Sequence, residues 1–220
     1  MFLRGKMSDT ISDDQCTMFL VRHGATELNL KVPTVLQGNG IDGPLAAIGR
    51  EQAALTHQFL SPYAFDAVYA SPMVRAQETA SIIAPGHAVS IVPEIIEGDV
   101  GRWLGKNWDE IAAEDPEEYR KHLEDPAANP YPEGESANDI AQRSVPAITK
   151  LMQENLGRRI LVVAHSIVIR VVLAHLYQIP LKSYRAIELD NCSVSRLHYH
   201  QEKLKVIVAN SNFHLDPLCQ

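Results

Sequence analysis

The chain has few cysteines and no long apolar run. Its three cysteines, Cys16, Cys192 and Cys219, are dispersed along 220 residues. They show neither the spacing of metal ligands nor that of a disulfide framework. A reduced, cytoplasmic setting is the simplest account of this usage. No apolar run reaches the roughly 18 residues that a transmembrane helix requires, so we expect no membrane partner.

The chain also has fewer basic than acidic residues. The sequence has 20 Lys and Arg against 27 Asp and Glu, for a net charge of -7. A nucleic-acid partner is therefore excluded, because binding to a phosphate backbone needs clustered cations. The nine histidines show no paired ligand spacing with a carboxylate on one helix face. We expect no metal and no cofactor.

The first fifteen residues differ in composition from a secretory signal peptide. The first fifteen residues lack the apolar core of a signal peptide, and residues 8–15 are polar and acidic. We expect residues 1–15 to form a flexible leader, with Met7 as an alternative start. Because the rest shows no repeat and no linker, we expect residues 16–220 to form a single domain.

The pattern of apolar runs alternates between strands and helices, which predicts an α/β fold: a three-layer α/β/α sandwich with a mainly parallel sheet. The last two strands follow one another across a polar turn, which predicts an antiparallel pair at the edge. Pro146 falls inside a helix and should kink or divide it. The predicted strands are 17–21, 66–70, 89–92, 160–164, 194–199 and 204–209; the predicted helices are 46–59, 74–83, 116–123, 137–154 and 167–177.

The most informative motif follows the first strand, where an apolar run stops at Arg22-His23-Gly24. Arg22 offers a planar fork of donors for an oxyanion. The ring of His23 can attack an electrophile near neutral pH. Gly24 lets the backbone come close to a bound group. These parts suit capture of a phosphoryl group, although a histidine at such a place is more often a turn residue.

Similar side chains follow two other predicted strands. Arg75 comes shortly after the second strand, and His165 directly follows the fourth. The carboxyl ends of parallel strands meet at one edge of a sheet, where α/β proteins place their ligand sites. We therefore expect Arg22, His23, Arg75 and His165 to converge on one crevice.

These motifs resemble those of the histidine phosphatase superfamily, the phosphoglycerate mutase-like group. The resemblance runs from about Cys16 to about His214. It implies the phosphoglycerate mutase-like sandwich, with His23 as the phosphorylated nucleophile, Arg22, Arg75 and His165 as its phosphate-holding partners and Glu97 as the proton donor. The matching blocks are residues 20–29; Leu45 with Gly49, Gln52 and Ala53; residues 71–80; Glu97 with Gly101, Trp103 and Gly105; residues 134–136; and residues 163–165.

The assignment of the acid has competitors in Glu94 and Asp99. The family places the acid four residues before a glycine that precedes an aromatic residue by two. Gly101 and Trp103 satisfy that spacing for Glu97 alone. A surface glutamate in a loop is the alternative.

Four further residues are expected to contact phosphate or substrate. Asn29 and the Gln37-Gly38 turn can add neutral donors to the cationic ones. Ser166 stands where the family usually has glycine. Its amide can still donate and its hydroxyl can add a bond, but its Cβ narrows the pocket. We also expect His165 to be protonated when it opposes the charge of the phosphate.

Residues 106–135 match an insertion that covers the active site in the family, and we expect a lid-like segment there. Its side chains best placed to meet a substrate's tail are Tyr119, Arg120, Lys121 and His122. Trp103 and Trp108 are interpreted as packing residues.

The resemblance favours a phosphatase that hydrolyses small phosphorylated metabolites through a phosphohistidine intermediate. Cofactor-dependent mutases carry a longer insertion with a basic pair, whereas residues 106–135 are short, predominantly acidic and lack an Arg-Arg pair. A phosphoglycerate mutase, a catalytically weak phosphate-binding protein and an interaction module stay open as alternatives. A monomer and a homodimer are equally open.

Overall fold

The computed structural model describes residues 11–218, so residues 1–10 of the predicted leader and Cys219 lie outside the described range. This range contains six strands, six α-helices and four short 3-10 helices. The strands are β1 (Gln15–Arg22), β2 (Ala67–Ala70), β3 (Val89–Ile91), β4 (Arg158–Ala164), β5 (Val194–His200) and β6 (Lys203–Ser211). The helices are α1 (Ala47–Leu60), α2 (Val74–Ile83), α3 (Trp108–Glu114), α4 (Pro116–Glu124), α5 (Ala137–Glu154) and α6 (Ser166–Tyr177).

All six strands join one sheet in the order β3-β2-β4-β1-β5-β6. Strands β1 to β4 run parallel, β5 is antiparallel to β1, and β6 is antiparallel to β5. The mainly parallel sheet and its antiparallel final pair are both confirmed.

The alternation of side chains along β1 separates the two faces of the sheet. Met18 and Leu20 pack into a cluster with residues of α5 and α6, whereas Phe19 and Val21 pack with residues of α1 and α2. Burying such side chains contributes roughly 1.5–3 kcal/mol each, which is why strands covered on both faces read as continuous apolar runs. The sandwich of three layers is confirmed.

Two local expectations were wrong or incomplete. Helix α5 is not divided at Pro146 but stays helical over Ala137–Glu154. Pro146 and Gln142, whose carbonyl loses its helical partner, are both exposed, so water can replace the missing hydrogen bond. Helix α3 was not predicted, although Asn107 and Glu110 form a capping box at its start, a sequence signal for a helix.

The register of the parallel strands brings three strand ends to the same level. Arg22 at the end of β1 pairs with Ala164 at the end of β4, and Ala70 at the end of β2 pairs with Val163. The ladder continues one step further, because the amide of His23 donates to the carbonyl of Ala164. Residues that follow β1, β2 and β4 therefore meet at one edge.

The roof segment (residues 106–135) lies beside this edge and contains α3 and α4. A separate apolar cluster of Val100, Trp103, Ile111 and Tyr131 anchors it, with Trp108 and other half-buried side chains packed against the cluster.

Candidate active site

A pocket of about 740 Å³ opens where β1, β2 and β4 end. Most of the residues expected from the sequence line it. His165 is fully buried behind the wall, with its ring centroid 5.1 Å from that of His23. The expected residues that line the pocket are Arg22, His23, Asn29, Gln37, Gly38, Arg75, Glu97 and Ser166.

His23 is held as a neutral imidazole with one nitrogen free. Its Nδ1 lies 2.8 Å from the carbonyl oxygen of Gly24. A carbonyl carries no hydrogen, so Nδ1 must carry the proton and Nε2 keeps its lone pair. Burial, and then Arg75 and Arg22, hold the pKa of His23 well below 6.5. Nε2 is therefore available as a nucleophile at neutral pH.

His165 is also neutral in the unliganded pocket. Burial is the main cause that holds its pKa well below 6.5, followed by His23 and the arginines. The expectation that His165 is protonated when it opposes the charge of a bound phosphate stays a prediction, because a dianion beside the ring would favour the charged form.

The hydrogen bonds of Ser71 determine which nitrogen of His165 carries the proton. Ser71 Oγ lies 2.6 Å from His165 Nε2 and accepts from the amide of Met73. Ser71 is fully buried, so its hydroxyl hydrogen must go to Nε2. The proton of His165 then sits on Nδ1, a buried atom without a partner among the described residues. A neutral His165 can thus still donate a hydrogen bond, and Ser71 is a positioning residue that we had not identified.

Arg22 and Arg75 are fixed by hydrogen bonds to backbone carbonyls, but each keeps a donor that is not used. Arg22 donates to the carbonyl of Leu189 at 2.6 Å, and Arg75 donates to the carbonyls of Ile41 and Gly38 at 2.8 and 2.9 Å. Each keeps a buried Nε without a partner among the described residues. Burial, and then the nearby Arg170, lowers the pKa of Arg22 to about 10, which leaves it charged at pH 7. Both are placed to bind an anion.

The neutral residues have mixed roles. Thr26 lies between Asn29 and Gln37, with its Oγ1 3.1 Å from Asn29 Oδ1 and 2.9 Å from Gln37 Oε1. The hydroxyl has one hydrogen, which goes to Gln37 Oε1, while the backbone amide of Thr26 donates to Asn29 Oδ1 at 3.0 Å. Both amide oxygens are thus acceptors, and the amide nitrogens of Asn29 and Gln37 remain as donors. Gly38 uses its carbonyl to hold Arg75. The Nδ2 of Asn191 donates to the carbonyl of His23 and so helps to fix its position.

The carboxylate of Glu97 lies at the amino terminus of α6. It is 6% exposed; Oε1 accepts from the amide of Gly98 at 2.9 Å, and Oε2 accepts from the amide of Ile167 at 3.3 Å. The first turn of a helix favours negative charge. Glu94 is exposed, and Asp99 Oδ1 accepts from the amide of Gly101, so neither competitor lines the pocket.

Arg143 and Glu135 hold the segment that carries Glu97. Arg143 on α5 forms two hydrogen bonds to the carboxylate of Glu135, at 2.8 and 2.9 Å. The same guanidinium donates to the carbonyls of Glu94, Ile96 and Glu97. The motif at residues 134–136 therefore contacts the acid's segment rather than the pocket.

Gly24 has a different role from the one expected. A Cβ at Gly24 would lie 2.4 Å from the carbonyl oxygen of Gly49 on α1. The glycine allows the close approach of α1 to the nucleophile's loop, not the approach of a bound group. Ser166 begins α6 and lines the pocket, as expected.

Of the four roof side chains expected to meet a substrate, only Tyr119 lines the pocket. Arg120 pairs with Glu124, and Lys121 pairs with Glu117 at 2.8 Å, both at the surface. His122 is buried and 1% exposed.

The two tryptophans also differ. Trp103 packs as expected, with its Nε1 donating to Asp115. Trp108, interpreted as a packing residue, is half-buried and lines the pocket. The orientation of the Trp108 ring is set by contacts with residues that are distant in sequence. The sequence around Trp108 therefore does not predict it.

Sequence reasoning missed two cations of the pocket wall, Arg170 and Arg185. Arg170 lies four residues after Ser166 on α6, so helical periodicity could have placed it on the same face. Arg185 lies in a short 3-10 helix over Leu181–Ala186 and had no such signal.

Residues 11–218 contain neither a metal-binding cluster nor a membrane-spanning helix. No group of three or more His, Cys, Asp and Glu side chains is arranged to hold a metal ion. No helix in that range has the length and apolar character to cross a bilayer.

The family follows from comparison with known proteins. Residues 18–212 match the model of the histidine phosphatase superfamily, branch 1. The chain belongs to that superfamily. Its relatives named as phosphatases, together with this site, identify it as a phosphatase of the histidine phosphatase type.

Two curated relatives cover most of the chain. Phosphoserine phosphatase 1 of Hydrogenobacter thermophilus is 28% identical over 200 residues, 90% of this chain and 93% of the relative. The probable phosphoglycerate mutase GpmB of Erwinia tasmaniensis is 32% identical over 187 residues, 84% of this chain and 85% of the relative.

Two solved structures share the fold closely. The α-ribazole phosphatase of Shigella flexneri has a TM-score of 0.79 at 30% identity, over 89% of this chain and 96% of that chain. The phosphoserine phosphatase of Entamoeba histolytica, in complex with 3-phosphoglyceric acid, has a TM-score of 0.82 at 25% identity, over 91% of this chain and 99% of that chain.

Proposed function

We propose that this protein hydrolyses small phosphorylated metabolites through a phosphohistidine formed on Nε2 of His23. The observation that carries the proposal is the state of His23: a neutral ring with Nδ1 bound to the Gly24 carbonyl, beside two arginines that each keep an unpartnered Nε. The complex of a structural neighbour with 3-phosphoglyceric acid supports a small phosphorylated metabolite as the ligand.

In the first step, Nε2 of His23 forms a bond to phosphorus as the bond between phosphorus and the ester oxygen breaks. Glu97 must first bind a proton, which a phosphate dianion beside it favours, and it then gives this proton to the leaving oxygen. Arg22, Arg75 and the Nδ1–H of His165 offset the charge on the equatorial oxygens. In the second step, Glu97 takes a proton from water, which attacks phosphorus and releases phosphate from His23.

The same side chains make a metal unnecessary in this mechanism, because they supply the cationic and donor groups around the phosphoryl oxygens. We infer a cytoplasmic setting from Cys16 and Cys192, which are free and buried; burial raises the pKa of each thiol to about 12.

We infer that the roof segment acts as a lid and that hydrolysis prevails over mutase activity. Arg120 and Lys121, its cations nearest the pocket-lining Tyr119, are engaged by glutamates of their own helix. Residues 106–135 therefore do not supply the free basic pair that the longer insertion of cofactor-dependent mutases carries. The ratio of released phosphate to 2-phosphoglycerate, with 3-phosphoglycerate as substrate, measures the balance of the two reactions.

Trapping of the phosphoenzyme tests the mechanism. Rapidly denatured protein should carry phosphate in an acid-labile, base-stable bond, and p-nitrophenyl phosphate should be hydrolysed equally well in EDTA. His23→Ala should lose the label and lower kcat by on the order of 10⁴-fold or more. The matched control is His175→Ala, an exposed histidine outside the pocket. Labelling of the His23→Ala protein would contradict the assignment.

A further inference from the structure

The pocket has more positive charge than a phosphate monoester needs. Its charged lining consists of four arginines and the single carboxylate of Glu97. Arg22 and Arg75, beside His23, can match a phosphate dianion. Arg170 and Arg185 remain, and within residues 11–218 neither forms an ion pair with a carboxylate.

Arg170 adjoins the phosphate end. Its Nε donates to the carbonyl of Ile187 at 2.8 Å, two residues before Leu189, whose carbonyl holds Arg22. Arg170 also contributes to the lowered pKa of Arg22, as a like charge nearby does. Its charge therefore adds to the field around the phosphoryl group.

Arg185 lies among the aromatic residues of the roof. Its Nη2 donates to His122 Nε2 at 2.6 Å and to the Tyr131 hydroxyl at 3.2 Å, and the guanidinium lies 5.2 Å from the ring centroid of Trp108. The ring of Tyr184 lies 5.3 Å from the guanidinium, and its side chain interacts with the guanidinium as well. Arg185 still lines the pocket, where it can donate to a ligand. These contacts fix the position of the guanidinium without neutralising it.

The partner His122 is itself neutral. Its Nδ1 lies 2.8 Å from the carbonyl oxygen of Asn129, so Nδ1 carries the proton and Nε2 accepts from Arg185. Burial, and then Arg185, lowers the pKa of His122 to about 4. His122 therefore brings no negative charge that would compensate the guanidinium of Arg185 at neutral pH.

A half-buried guanidinium stays protonated and is costly to hold without a counter-ion. The cost is relieved when a ligand brings an anion into the pocket. We propose that Arg185 is a specificity-determining residue that binds a second anionic group, a carboxylate or a phosphate, on the alcohol portion of the substrate. This inference rests on the proposed function, since it concerns the same pocket.

Matched substrates test the inference. Phosphoserine and phosphoethanolamine differ only by the carboxylate; fructose 1,6-bisphosphate and fructose 6-phosphate differ only by the second phosphate. In at least one pair the wild-type protein should favour the more anionic member, and the pair that discriminates identifies the group. Arg185→Gln should lower kcat/KM for that member by about 10–100-fold, the range for a hydrogen bond to a charged group. For its partner the change should stay within about 2-fold.

Three variants separate recognition from packing. Arg185→Lys should retain part of the discrimination because it keeps the charge. Arg170→Gln should lower kcat/KM for both members alike. Arg120→Gln is the control, since Arg120 is exposed and outside the pocket. An equal loss for both members in Arg185→Gln would mean that Arg185 only packs the roof and would overturn the proposal.

Binding gives a readout that does not depend on turnover. Calorimetry with the His23→Ala variant should show tighter binding of the more anionic member, and Arg185→Gln in that background should abolish the difference. Equal affinities would refute the second anion site even if p-nitrophenyl phosphate is hydrolysed. Discrimination in binding without any hydrolysis by the wild-type protein would instead refute the proposed function and leave the anion site standing.

Discussion

The floor of the pocket (residues 22–23, 71–75 and 165) and its roof segment are built in different ways. The floor follows directly from the pairing of β1, β2 and β4, whose backbone hydrogen bonds continue into His23 and Ser71. The roof is held by contacts between aromatic rings, such as Trp103 with Tyr131, and by the cation of Arg185 over Trp108. We expect the floor, which is held by backbone hydrogen bonds, to fix the geometry of the reaction. The roof is held by contacts between side chains, so changes of its sequence can alter which substrate is bound.

After the loss of His23, the largest change is expected from Glu97→Gln, between floor and roof. General acid catalysis is worth about 10²–10⁴-fold, so turnover of an alkyl phosphate should fall by that amount. p-Nitrophenyl phosphate should lose much less, because nitrophenolate leaves without a proton. Steady-state kcat for both substrates measures the difference.

Glu94→Gln is the control for this experiment, since Glu94 is exposed and outside the pocket. Equal losses for both leaving groups in Glu97→Gln would assign Glu97 a structural role and return the acid to Glu94 or Asp99.

A smaller effect is expected in the floor from Ser71→Ala. The variant removes the hydroxyl that donates to His165 Nε2 and leaves a buried acceptor unsatisfied, a loss of about 1–3 kcal/mol. We expect kcat to fall about 10-fold, with KM little changed. The ¹⁵N chemical shifts of His165 should show that the proton no longer prefers Nδ1.

Ser81→Ala is the matched control, because Ser81 makes a similar bond to a carbonyl at the surface. Unchanged shifts of His165 would show that Ser71 does not select its tautomer.

The smallest effect concerns the stability of the roof. The pKa of His122 is about 4 in the folded protein against an ordinary value of 6.5, so the unfolded chain binds more protons between these values. The free energy of unfolding should therefore fall as the pH drops from about 6.5 towards 4, by at most about 1.4 kcal/mol per pH unit from this residue. Urea unfolding at several pH values should give a flatter dependence for His122→Gln.

His23 and His165 contribute in the same direction, because their pKa values are also lowered. The comparison of slopes between His122→Gln and the wild-type protein isolates the roof. Identical slopes would mean that His122 is not buried as a neutral group.

The floor was more accessible to prediction than the roof. Apolar runs that end at Arg22 and at Ala164 can only be buried strands, and parallel strands must bring their ends together. The protonation state of His165 could not be derived from the sequence because it depends on how deeply the ring is buried and which charged groups surround it. Neither the burial of the ring nor its charged neighbours can be derived from the residues next to His165 in sequence.

The roof eluded prediction for a related reason. Helix α3 is seven residues long, too short for a clear hydrophobic period, and only its capping box marked it. Trp108 and Arg185 acquire their roles from contact with each other across 77 positions of sequence, which neither segment indicates alone. The roles of the site residues in the reaction stay predictions until the variants are measured.

The backbone contact between Gly24 and Gly49 sets a limit on redesign of this enzyme. A side chain at Gly49 would lie 2.0 Å from the carbonyl oxygen of Ala25, and one at Gly24 would meet Gly49 in turn. If either position were randomised, the functional variants would keep glycine. Substitutions in α1 therefore cannot widen the wall of the pocket that the loop after β1 forms. New substrate ranges would have to be sought in residues 106–135 and at Arg185.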